Sequence, residues 1–157
     1  MEIVPHPSSP SSNTSSTQDS LLNKNQFVAR KKVLVIDDCP DLVELFEMIL
    51  ESNSFEVFSA TSGAAALSIL TEITELDLIL LDVTMVEMSG IEFLERFEKE
   101  YPDFFKTVPV VFLSGMENIP DTKASGFIRK PMANIETFLK SVCRYIDEGK
   151  TRNSSRH

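Results

Sequence analysis

Three carboxylates, one hydroxyl and one ammonium are the side chains in this sequence best suited to chemistry. They are Asp37 and Asp38, Asp82, Ser114 and Lys130, and each stands where a short apolar run stops. Singly they say little, because an Asp after a strand is often a helix cap and a Lys before a proline is often a solvated strand end. Together they pose an electrostatic problem: three carboxylates at close quarters raise one another's pKa unless a cation neutralises them. Oxygen-only ligands without His or Cys favour a hard ion, and a few carboxylates plus waters suit Mg2+ better than a closed Ca2+ cage. Such an ion leaves positions for phosphoryl oxygens. Lys130 can meet these as a point charge, Ser114 as a hydroxyl donor, and Asp82 can serve as the nucleophile.

The elements that must position these groups alternate regularly. "KKVLVIDD" is a continuous apolar run ending in acids, followed by "PDLVELFEMILES", in which Leu42, Leu45, Phe46, Ile49 and Leu50 recur at helical spacing and Pro40 suits a first turn. "FEVFSA" and "SGAAALSILTEI" repeat the strand and helix pattern, then "LDLILLDV" and "GIEFLERFEKEY", then "VPVVFLSG", a short "GFIRK" and a final amphipathic "ANIETFLKSVCRYIDEG". Apolar strands alternating with helices predict a doubly wound five-stranded parallel α/β sheet. Ligands of such sheets sit at the carboxyl ends of the strands, where all five groups fall.

Composition restricts the function classes. With 15 Lys+Arg against 24 Asp+Glu, the net charge of −9 disfavours a direct nucleic-acid role. No stretch approaches the roughly 18 apolar residues of a membrane span, and "MEIVPHPSSP" lacks the charged start and apolar core of an export signal. Cys39 and Cys143 lie far apart without metal-ligand spacing, which fits a reduced cytoplasmic setting. Residues 1–29, rich in Ser and Pro, are expected to be a flexible tail, residues 30–149 the folded domain, and residues 150–157 a short C-terminal tail.

From residue 31 to about 148 the chain resembles the receiver domain of two-component response regulators, similar to the chemotaxis response regulator and other stand-alone receivers. The resemblance rests on the acidic pair Asp37-Asp38, Asp82 followed by Met85 and Gly90, Ser114 followed by the small Gly115, Phe127, and Lys130-Pro131, in order and on the matching strand ends. It implies a flavodoxin-like receiver fold and phosphotransfer to Asp82 from a histidine kinase or phosphotransfer protein. Mg2+ would be held by Asp38, Asp82 and the main-chain carbonyl of Thr84, and by Asp37 through water. It further implies a cis Lys130-Pro131 bond that aims the Lys inward, and an aromatic switch at Phe127, for which the bland alternative is an ordinary core aromatic. Thr84 and Met116 occupy the positions that tune phosphoryl lifetime. No catalysis is expected beyond the chain's assistance to its own phosphorylation and dephosphorylation.

Two departures stand out. Val86 occupies the place where many receivers carry a proline, four residues after the acceptor, so a looser loop is expected there. Only 15 residues, 115–129, separate Ser114 from Lys130, which leaves the fourth receiver helix short by roughly one and a half turns. Because little sequence follows residue 149, output is expected through a partner protein, from a monomer. Two alternatives stay open: a phosphorylation-independent receiver-fold scaffold, and a haloacid-dehalogenase-type phosphohydrolase. The latter needs a second acid two residues after its nucleophile, where Thr84 stands.

Overall fold

A computed structural model describes residues 29–117, 121–130 and 134–154. Five strands, β1 (Lys32–Ile36), β2 (Glu56–Ala60), β3 (Leu78–Asp82), β4 (Val110–Ser114) and β5 (Gly126–Arg129), form one parallel sheet in the order β2-β1-β3-β4-β5. The helices are α1 (Pro40–Glu51), α2 (Gly63–Leu70), α3 (Gly90–Glu100), α4 (Pro102–Thr107) and α5 (Ile135–Ser154). The expected doubly wound fold is thus observed. Its apolar runs belong to strands covered on both faces: every residue of Val33–Ile36, Leu78–Leu81 and Val110–Leu113 is buried.

Alternate strand residues feed two cores. On one face Val33, Val35, Leu78, Leu80, Val111 and Leu113 pack against α1 and α5, joined by Phe46 and Phe138 with ring centroids 5.4 Å apart. On the other, Leu34, Ile36, Ile79, Leu81, Val110 and Phe112 meet α2 and α3, with Phe93, Phe97 and Leu94 at helical spacing.

Four details differ from the sequence expectation. The buried residues of α1 are Val43, Phe46, Ile49 and Leu50, while Leu45 points outward at 41% exposure. α4, unexpected, begins on Pro102, suited to a first turn, and lets Phe104 and Phe105 pack against the core. Helix α5 continues through Ser154, past the boundary placed at residue 149. Gly149 allows this by lying where a Cβ would come within 2.9 Å of Pro109, and Asn153 Nδ2 donates to the Thr107 carbonyl at 3.4 Å. Between β4 and β5 the described residues, 115–117 and 121–125, form no helix at all, where a helix of up to two turns was expected.

Candidate functional site

The site is built where β1, β3, β4 and β5 stop. Strand β1 ends at Ile36, so Asp37 and Asp38 occupy the turn into α1 rather than the strand itself. Neither caps the helix: the cap position belongs to Cys39, whose side chain makes no capping bond. Instead Asp37 Oδ1 accepts from the Cys39 amide at 3.0 Å and Asp38 Oδ2 accepts from the Val86 amide at 3.1 Å. Asp82 is the last residue of β3, and its Oδ1 accepts from the Thr84 amide at 3.3 Å. Oxygens of Asp37, Asp38 and Asp82 all lie within 4.8 Å of one another.

The start of α3 is held against this corner. Ser89 and Glu92 form a reciprocal capping box, and the Gly90 amide donates to the Val83 carbonyl at 2.9 Å. Any Cβ on Gly90 would collide with the Asp82 carbonyl oxygen, so only glycine lets the helix begin so close to the acceptor strand.

Lys130 follows β5, and its amide bonds the Ser114 carbonyl at 2.8 Å. Its Nζ lies 2.5 Å from Asp37 Oδ2 and 3.6 Å from Asp82 Oδ1. One ammonium therefore serves two of three acids. Burial is the largest influence on Asp82 and pushes its carboxyl above the ordinary range. Lys130 pulls it down, Asp37 pushes it up, the Thr84 amide lowers it, and Asp38 raises it. Upward influences win, led by burial, and a single ammonium faces the three carboxylates. The three oxygen donors, close together and incompletely neutralised, fit a hard divalent ion such as Mg2+.

Ser114 is buried, with its Oγ accepting from the Met116 amide at 3.0 Å, which leaves its proton for another acceptor. Gly115 has open space where a side chain would stand, its nearest neighbour being the Lys130 carbonyl oxygen at 3.9 Å. Met116 is exposed and Met85 is buried. Phe127 pairs in register with Phe112, yet Phe112 is covered and Phe127 is 49% exposed, so an ordinary core role for Phe127 is excluded. Pro131 and its peptide bond with Lys130 lie outside the described residues, as do Met132 and the expected tail up to residue 28. Cys39 is half-buried, and it and Cys143 are both free thiols. Sequence reasoning missed the Val86 amide as a partner of Asp38.

Comparison with known proteins agrees with this geometry. The response regulator receiver domain family matches residues 33–142, and the chain belongs to that family. It is similar to the transcriptional regulatory protein GlrR of Escherichia coli (strain K12), 32% identical over 106 residues, which are 64% of this chain and 23% of that protein. A probable transcriptional regulator, ycf27 of Porphyridium aerugineum, is 28% identical over 133 residues, 80% of this chain and 53% of its own length. The chain thus spans from under a quarter to about half of these curated relatives. Among solved structures, the Vibrio cholerae chemotaxis protein CheY4 superposes with a TM-score of 0.67 at 31% identity, covering 74% of this chain and 99% of that one. The protein is a receiver, a module of two-component signalling, with an acidic pocket at Asp37, Asp38 and Asp82. Among the described residues no helix is long and apolar enough to cross a membrane.

Proposed function

We propose that this receiver accepts a phosphoryl group on Asp82 from the phosphohistidine of a kinase or phosphotransfer protein, and signals in the cytoplasm through a protein partner. The observation that carries the reading is the meeting of three carboxylates within 4.8 Å beside one ammonium that reaches two of them. Asp82 attacks through a carboxylate oxygen. A P–O bond forms, the donor's P–N bond breaks, and its electron pair remains on the imidazole nitrogen, which is protonated as it leaves. Asp38, Asp82 and the Thr84 carbonyl would hold Mg2+ directly and Asp37 through water; when bound, the ion supplies positive charge to the phosphoryl oxygens.

The remaining side chains act in the same place. Lys130 neutralises a phosphoryl oxygen, drawn from its present partners by the new charge. Ser114 donates its hydroxyl proton to a second oxygen, and the absence of a side chain on Gly115 keeps that approach clear. Phe127, outward and half-exposed, can turn inward as Ser114 moves, which would carry the state of the site to the surface of β5.

The test is incubation with acetyl phosphate and Mg2+ followed by intact mass. A gain of about one phosphoryl mass, lost in Asp82→Asn, is expected. Equal labelling of that variant would overturn the acceptor assignment. A phosphorylation-independent scaffold is favoured by one observation, the lack of a helix among the described residues between β4 and β5, and it predicts no labelling of the wild type.

A further inference from the structure

We infer that the backbone amide of Val86 is a positioning group for the metal corner, one that a proline at this place would abolish. The inference rests on the Mg2+ reading above. Asp38 and Val86 are 48 residues apart, yet Val86 N–H donates to Asp38 Oδ2 at 3.1 Å. Lys130 pairs with the other two carboxylates. Asp37 and Asp82 each have an amide donor and the ammonium as well, whereas among the described residues Asp38 has the Val86 amide in place of an ammonium.

The consequence is electrostatic and geometric at once. Two nearby carboxylates repel Asp38 outward, and a hydrogen bond to a charged acceptor is among the stronger ones. Held by Val86, Asp38 keeps an oxygen within 4.8 Å of Asp37 and Asp82 before any cation arrives. The same bond fastens the β3–α3 loop to the end of β1. That loop carries the Thr84 carbonyl two residues upstream, so one bond sets two of the proposed ligands relative to each other. The loop is otherwise braced by Met88 N–H to the Val86 carbonyl at 2.8 Å, and Glu87 has a left-handed φ of 71°. Val86 is 74% exposed, so it contributes little by packing, and its amide is the group that reaches the site.

The experiment compares Mg2+ affinity of wild type, Val86→Ala and Val86→Pro by isothermal titration calorimetry, with unfolding of the metal-free proteins as the control for folding. Val86→Ala keeps the N–H and should bind like wild type. Val86→Pro removes it and should bind roughly fivefold or more weakly, the scale of one partly exposed bond to a charged group. Equal or tighter binding by Val86→Pro, or equal weakening in both variants, overturns the inference and leaves the Mg2+ reading standing. A wild type that binds no Mg2+ overturns both. Should Val86→Pro fail to fold, hydrogen exchange of the wild-type Val86 amide decides. Protection without Mg2+ that persists with it supports the positioning role, and free exchange in the metal-free protein refutes it.

Discussion

Replacing Lys130 by Met should expose how tightly this site is balanced. Methionine keeps an unbranched stem and removes the ammonium that lies 2.5 Å from Asp37 Oδ2 and 3.6 Å from Asp82 Oδ1. The Asp37 side chain is 1% exposed, so bulk solvent compensates the lost ammonium only poorly. Breaking a buried ion pair by removing one partner costs about 3–5 kcal/mol. The Lys130 side chain is itself 19% exposed, which places the expectation at the lower end, about 3 kcal/mol. For a domain of this size that corresponds to a fall in Tm of roughly 10 °C. The assay is urea unfolding followed by far-UV circular dichroism at neutral pH with a chelator present. Adding Asp37→Asn to Lys130→Met should recover most of the loss, because the stranded charge goes with it, and the double-mutant cycle isolates the pair. Added Mg2+ should recover part. A Lys130→Met protein as stable as wild type, or no recovery on adding Asp37→Asn, would show that Asp37 is compensated by something other than this lysine.

Further expectations follow from the same charges. Mg2+ at about ten times its Kd should raise wild-type stability by roughly 1.4 kcal/mol, and Asp38→Ala should lose most of that response in a thermal scan. Since the Asp82 carboxyl is held above its ordinary range in the fold, the metal-free native state binds this proton more tightly than the unfolded chain. Its contribution therefore favours the fold at low pH and is lost as pH rises from the ordinary carboxylate range through the raised value; a stability-against-pH series should show this slope flattened in Asp82→Asn. For phosphoryl lifetime, Thr84 offers one short hydroxyl and the exposed Met116 cannot orient a water, so Thr84→Asn with Met116→Glu should speed dephosphorylation roughly tenfold at fixed Mg2+. Unchanged decay of the labelled double variant would rule out water positioning by these two side chains.

The acidic corner was legible in the sequence because its groups stand at the ends of apolar runs, and parallel topology brings such ends to one edge. Asp82 and Ser114 are the last residues of β3 and β4, as the pattern implied. What escaped was set by packing rather than by pattern. The six residues of α4 are too few for helical periodicity to register, and the outward turn of Leu45 follows from which stripe of α1 meets the sheet. Exposure of Phe127 was illegible for another reason. Its register with Phe112 puts both rings on one face, but cover over that face depends on a connection whose described residues form no helix.

The site's hydrogen bonds carry the same division further. Four of them come from main-chain amides: Cys39 to Asp37, Thr84 to Asp82, Val86 to Asp38 and Met116 to Ser114. A side chain announces its chemistry by its type, whereas an amide donor is present in every residue but proline and is aimed only by the path of the chain. Sequence thus speaks about such donors only where proline would delete one. Val86 is that place: where the sequence reads a looser loop for want of a proline, the amide that proline would delete bonds Asp38 in the turn after β1.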